Sequence, residues 1–229
     1  MPPLEKRVDC FKELSSRIGR ERVIWRYDPI IVSNLTPVTY HIERLELLAK
    51  QLQGYTLRLV ISFMDFYGKT ENKIKKLQQK ESIVFTDITA EEHAEELERL
   101  VREISRIGKD YGIKVETCSE AMDLDHFGIA HGSCVDEKLI SQLGKTPSVK
   151  KDKNQRSSCL CVESVDVGMY NTCKFNCLYC YAVQSEQAVN KTLQRHVLDS
   201  ASLIGQYDSK EIEIKSAKRH KRSGGDNHI

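Results

Sequence analysis

Short β-branched runs alternating with stretches of helical period leave this chain few folds to choose from. Residues 22–27 (RVIWRY), 57–64 (LRLVISFM) and 113–118 (IKVETC) each read as a buried strand. Leu4, Val8, Phe11, Leu14 and Ile18 line one face of an opening helix that Gly19 stops. Thr36 is placed to cap a second helix with Pro37 in its first turn. Its apolar stripe is Ile42, Leu45, Leu48, Ala49 and Leu52, and Gly54 ends it. Thr89 and Glu92 spell a capping box for a third helix through Leu97, Leu100, Val101, Ile104 and Ile107. Strands and helices in this order predict βαβ units around a parallel sheet. A closed eight-stranded barrel needs more chain than this. The expected fold is α/β, either a partial (β/α) barrel or an open parallel sheet, followed by a cysteine-rich loop and a polar tail. The first helix has no strand before it, so the chain reads as a truncated or split product.

The remaining segments are less regular. Lysine-rich residues 69–80 suit a helical excursion or an exposed connection. Residues 121–134 read as a loop and 135–143 as a short helix, while the basic run SVKKDKNQRSS (148–158) reads as a flexible connector. A weak helix is expected over 186–196, and the terminal KRHKRSGGDNHI is expected to be disordered. The expected organisation is a partial βα-barrel domain over 1–146, a cysteine-rich loop over 147–183 and a polar segment over 184–229.

The 229 residues suffice for a core of good size, and 40% hydrophobic with 30% charged residues is ordinary for a globular protein. A net charge of +2 makes the whole molecule no electrostatic magnet for nucleic acid or anionic lipid. Basic runs at 150–156 and 218–222 offer phosphate contacts only weakly, since no helix–turn–helix or stacking platform accompanies them. No secretory pattern or bilayer-length apolar run occurs in the sequence, and the default expectation is a cytoplasmic protein without a membrane partner.

Eight cysteines in such a setting argue for reduced thiols serving metal or redox chemistry. Five of them, Cys159, Cys161, Cys173, Cys177 and Cys180, fall in one short segment, whereas Cys10, Cys118 and Cys134 are scattered. Cys173, Cys177 and Cys180 stand at C-x3-C-x2-C spacing. Three thiolates are an incomplete set for structural zinc, and on a cubane iron–sulfur cluster they leave one iron open. Cys159 or Cys161 completes a zinc site, forms a redox pair, ligates a second metal, or has no ligand role. His126 and His131 flank Cys134 in a loop, where histidines more often serve as hydrogen-bonders than as ligands.

The strand ends form a second constellation. Trp25, Arg26, Tyr27 and Asp28 close the first strand, Ser62, Asp65 and Tyr67 the second, Glu116 and Cys118 the third. In parallel α/β folds the C-terminal edge carries the active site. Arg26, Asp28 and Glu116 there suit the charged ends of a cofactor or polar substrate. The competing reading is that Arg26 and Asp28 pair with each other for structural reasons.

The cysteine spacing, with aromatic Tyr179 before the last thiol, resembles the signature of radical S-adenosylmethionine enzymes. YNTCKFNCLYCYA (170–182) looks like the cluster loop of the spore photoproduct lyase branch. More of the chain is similar to a bacterial family described as domain of unknown function 1848. The matching pieces are RERVIWRYDPI (20–30), LRLVISFMDFY (57–67), VETCSE (115–120), GIAHGSC (128–134), KKDKNQR (150–156) and CLCVESVDVGMYNTCKFNCLYCYA (159–182).

The resemblance implies a 4Fe–4S cluster on Cys173, Cys177 and Cys180, with S-adenosylmethionine as second cofactor and Tyr179 beside it. It also implies an electron donor, a small-molecule or macromolecular substrate, and further βα units ahead of this chain's first helix. The cysteine loop of typical radical enzymes follows the first strand, whereas here it follows the last, so the resemblance requires it to return to the sheet's mouth. The alternative from another class is a non-catalytic binding protein stabilised by zinc or iron–sulfur, in contact with nucleic acid.

Overall fold

The computed structural model describes residues 2–66, 68–148, 150–175, 177 and 180–206. It divides into two units, Met1–Asp166 and Val167–Ile229. In the first, α1 (Leu4–Ile18) leads to β1 (Trp25–Ile30), the short β2 (Val32–Ser33), α2 (Val38–Leu52) and β3 (Arg58–Phe63). After α3 (Gly68–Glu81) and β4 (Phe85–Thr86), a 3-10 turn at Glu91–His93 opens α4 (Ala94–Asp110), followed by β5 (Lys114–Cys118). A second 3-10 turn, Asp125–Phe127, precedes β6 (Ala130–Gly132), and α5 (Glu137–Gln142) follows it. The second unit carries α6 (Glu186–Leu193), whose Ser185 side chain caps it by accepting the Ala188 N–H.

Four strands pair in parallel in the order β1-β3-β5-β6, and β2 pairs antiparallel with β4 apart from them. Each parallel strand is added on the same side of the one before it, the progression of a barrel wall rather than of a doubly wound sheet. Side chains agree. The face carrying Trp25, Leu59, Ile61, Phe63 and Val115 packs with Val8 of α1, Leu45 and Ala49 of α2, and Leu100, Val101, Ile104 and Ile107 of α4. The opposite face carries Arg26 and Asp28, Arg58 and Ser62, Lys114, Glu116 and Cys118 in register across the strands. One face is hydrocarbon under helices; the other is polar. The sheet stays open, with β1 and β6 at its edges among the described residues.

Several local readings need correction. The first strand runs over 25–30 rather than 22–27, because β1 keeps pairing with β3 through Ile30 across a register shift that takes in Pro29. An edge position tolerates that proline. Thr36 does not cap α2; its hydroxyl donates to the Ile31 carbonyl at 2.7 Å, and the capping position is Pro37. The capping box is not formed either. Thr89 bonds Asp87 Oδ1 at 2.7 Å, and the 3-10 turn places the start of α4 at Ala94.

The loop at 121–134 contains β6, the fourth parallel strand, which three residues without β branching (AHG) did not betray. The connector over 148–158 is folded as well: Lys151 bridges Val162, and buried Asp152 accepts from the Asn154 and Ser164 N–H groups. Leu14 and Ile18, on the expected buried face of α1, are 45% and 40% exposed, while Val8 and Ser15 of that helix are buried. Residues 69–80 are helical, within α3. Tyr67, Tyr179 and the terminal residues 207–229, including the basic run 218–222, lie outside the described residues. No helix among the described residues is long and apolar enough to cross a membrane.

Two consequences for stability arise here. The helix α4 lies so close to β5 that a Cβ at Gly108 would meet Val115 Cγ2 at 2.6 Å and the Ile113 carbonyl at 2.8 Å. Backbone cannot yield as a side chain does, so Gly108→Ala should destabilise by about 2 kcal/mol despite its better helix propensity. A urea titration showing equal or greater stability would contradict this packing.

His41 is buried, with Nδ1 2.9 Å from the Tyr27 hydroxyl and Nε2 2.9 Å from the Ile31 carbonyl. The carbonyl can only accept, so Nε2 carries the proton and Nδ1 accepts from Tyr27. Burial, only partly offset by the carbonyls of Ile31 and Thr36, lowers the His41 pKa from its ordinary 6.5. The unfolded chain then binds more protons as pH falls through 6.5, so stability should decline below that pH. Unfolding titrations at pH 7.5 and 5.5 measure it, and His41→Gln should flatten the decline.

Candidate functional site

Parallel pairing brings the C-terminal ends of four strands to one edge, and the polar face supplies their chemistry. Arg26 and Asp28 sit two residues apart on β1 and therefore on the same face. They form an ion pair in which Arg26 Nε stands 3.1 Å from Asp28 Oδ2. Ser62 of β3 donates to the other Asp28 oxygen. Arg26 Nη1 lies 2.9 Å from the sulfur of Cys134, two residues beyond β6. Cys134 in turn contacts Cys118, the last residue of β5, with sulfurs 3.1 Å apart.

In a flat sheet β1 and β6 would be three strand spacings apart, about 14 Å. Arg26 of β1 nevertheless reaches Cys134 in the turn beyond β6. The C-terminal rim of the polar face thus brings together a cation, a carboxylate, a hydroxyl and two thiols.

Hydrogen bonding from Cys134 and from the Arg26 guanidinium outweighs burial and brings the Cys118 thiol down to about 7. The same contact and burial push the Cys134 thiol up. Glu120, just beyond β5, accepts the Phe63 N–H at 2.8 Å, and burial holds its carboxyl above the ordinary range. Asp65, just beyond β3, pairs with Arg156.

Glu116 serves differently. It is buried, receives Arg58 Nη2 at 2.5 Å and Lys114 Nζ at 2.8 Å, and shares Arg58 with Asp136 at 2.7 Å. This network braces the polar face from β3 to the start of α5. It requires Gly132, where a Cβ would meet the Thr117 carbonyl at 2.8 Å and Glu116 Cβ at 2.9 Å. Arg26 and Asp28 pair with each other, as the competing reading has it, while Glu116 is engaged by Arg58 and Lys114.

Cys159 and Cys161 fall in the first unit. Both are buried. The Cys161 sulfur accepts the backbone N–H groups of Cys134 and Val135 at 3.2 and 3.3 Å, and Cys159 takes the Cys161 N–H at 3.5 Å. Of the two residues that the sequence set beside the triplet, Cys161 is therefore bonded to the turn after β6, and Cys159 to Cys161.

In the second unit, Cys173, Cys177 and Cys180 are free thiols, the first two exposed and the third half-buried. The Asn171 N–H donates to the Ala182 carbonyl at 2.9 Å, and Asn171 Oδ1 accepts the Gln184 N–H at 2.8 Å. Tyr170 and Tyr181 meet edge to face beside that junction. The loop is thereby closed at its base with all three thiols inside it. The donor set, three soft sulfurs at short spacing, fits an iron–sulfur cluster. Among the described residues no group of three or more His, Cys, Asp or Glu side chains is gathered for a metal ion.

Glu120, Arg156 and the Cys118–Cys134 contact escaped the sequence reading. Recognising β6 would have revealed the pair, because it sets Gly132 beside Cys118 and carries Cys134 to the same edge.

Residues 1–182 match the protein family described as a domain of unknown function, DUF1848. No curated protein and no solved structure matches the chain.

Proposed function

From the premise that the chain belongs to the DUF1848 family, we propose that it is an iron–sulfur protein of radical S-adenosylmethionine type. The observation that carries the reading is the loop closed between Asn171 and Ala182, which holds three free thiols at C-x3-C-x2-C spacing. Cys173, Cys177 and Cys180 are the proposed ligands. A 4Fe–4S cluster held by these three thiols would supply one electron and would leave an iron without a protein ligand, where S-adenosylmethionine would bind.

The chain's own residues have simpler tasks. The thiolates bind, and the Asn171–Ala182 junction limits the freedom the loop loses on binding. In the first unit, Arg26 and Asp28 present opposite charges at the rim for a charged small molecule. We place the substrate's polar group there, with an electron donor as the further partner and the cytoplasm as the compartment.

Protein purified and reconstituted without oxygen tests the reading. It should be brown and hold iron and acid-labile sulfide in equal amounts. Colourless protein that retains zinc and takes up no sulfide would give the loop to the non-catalytic, zinc-stabilised alternative.

A further inference from the structure

The thiols at the rim of the first unit have no part in the cluster chemistry above. Their sulfurs touch at 3.1 Å, Cys134 is exposed and Cys118 half-buried, and an arginine lies against them. We propose that Cys118 and Cys134 are a thiol–disulfide exchange pair that takes a low-molecular-weight organic disulfide and closes into a disulfide across the ends of β5 and β6.

The geometry brings the two sulfurs together, and the charges around them set the order in which they act. Closure needs the sulfurs to approach by about 1 Å, to the bond length of about 2.05 Å. Cys118 terminates a buried strand, faces Arg26 from β1 and Cys134 from the turn after β6, and receives hydrogen bonds in its charged form. It is the attacking thiolate. Cys134 is the resolving thiol. Its turn is fixed by the Cys134 and Val135 N–H groups on the Cys161 sulfur, so it stays within reach.

In the first step the Cys118 thiolate bonds to one sulfur of the external disulfide, whose S–S bond breaks and releases a thiolate. Cys134 then loses its proton to solvent, attacks the Cys118 sulfur and expels the second external thiol as thiolate, which recovers a proton. The protein dithiol is oxidised by two electrons and the external disulfide is reduced to two thiols. Arg26 holds the negative charge on Cys118 before attack, while Asp28, paired to Arg26, weakens that hold.

The sequence makes the product easy to locate. No Lys or Arg lies between Lys114 and Lys138, so trypsin releases both cysteines in one peptide, 115–138. Cys159, Cys161 and Cys173 share another, 157–174, and exposed Cys10 lies alone in 8–12 as an internal control. The full-length chain is reduced, then treated with glutathione disulfide without oxygen and quenched at intervals by alkylation. The expected result is peptide 115–138 lacking two hydrogens and carrying no label, formed about tenfold faster than Cys10 is glutathionylated. Cys134→Ser should stop at a mixed disulfide on Cys118, and Arg26→Gln should slow the first step about tenfold. Oxidation of 115–138 no faster than that of Cys10, or a first disulfide mapping to Cys159–Cys161 or Cys134–Cys161, overturns the proposal. The wild-type map decides it even if a variant fails to fold.

Discussion

Arg58→Ala lowers the free energy of unfolding of the first unit by about 3 kcal/mol. The side chains of Arg58, Glu116 and Asp136 are 15%, 8% and 13% exposed, so the substitution strands two carboxylates with little water to replace their partner. Burial works against the Arg58 charge, and Glu116 with Asp136 more than offsets it, raising its hold on the proton. Lys114 remains 2.8 Å from Glu116 and moderates the loss, which places it at the lower end of the range for a broken buried pair. Arg58→Lys falls between, since one ammonium cannot serve both carboxylates as the guanidinium fork does. The double variant Arg58→Met/Glu116→Gln should regain only part of the loss, because it removes one of the two uncompensated charges and leaves Asp136 without its guanidinium. Urea titrations of the four proteins measure this. Arg58→Ala within experimental error of wild type would show the network to be idle.

The second large effect is on metal content. Cys173→Ala, Cys177→Ala and Cys180→Ala should each abolish iron and sulfide incorporation, since two thiolates leave a cluster incompletely held and open to oxidants. Cys159→Ala and Cys161→Ala should retain it. Cys161 is occupied by the backbone N–H groups of Cys134 and Val135, and Cys159 by that of Cys161. Their loss should instead loosen the turn that carries Cys134. Should either variant empty the site as completely as Cys177→Ala does, that cysteine is a fourth ligand and no iron is left open.

Much of the first unit was legible from residue periodicity. The stripe Leu100, Val101, Ile104 and Ile107 and the run RLVISF found their partners in the core as hydrophobic pattern demands. The polar face was half legible. Arg26 and Asp28 announce themselves at a strand end, but Arg58 reads as a chain-entry residue, and only the register with Lys114 and Glu116 shows that it bridges three elements.

The caps misled because a hydroxyl's partner depends on the turn it occupies. The hydroxyls of Thr36 and Thr89 each donate to a nearby oxygen instead of accepting a helix N–H. β6 escaped because its residues carry no strand propensity; it pairs because glycine at 132 lets its backbone approach Glu116 closely. The Cys118–Cys134 contact escaped with it, since the two cysteines lie 16 positions apart in sequence and only the parallel register joins them. For the cysteine triplet the situation is reversed. Spacing alone sets the three candidate thiols together and leaves cluster and zinc both open, and the fold adds the hydrogen bond between Asn171 and Ala182 that closes the loop.

An open iron is the claim from which the rest of the function follows, and paramagnetic resonance of the reduced, reconstituted protein tests it most directly. Excess S-adenosylmethionine should shift the signal of the reduced cluster, because its amino and carboxylate groups occupy the iron that Cys173, Cys177 and Cys180 leave free. A signal from an intact cluster that is unchanged at saturating S-adenosylmethionine would contradict the account.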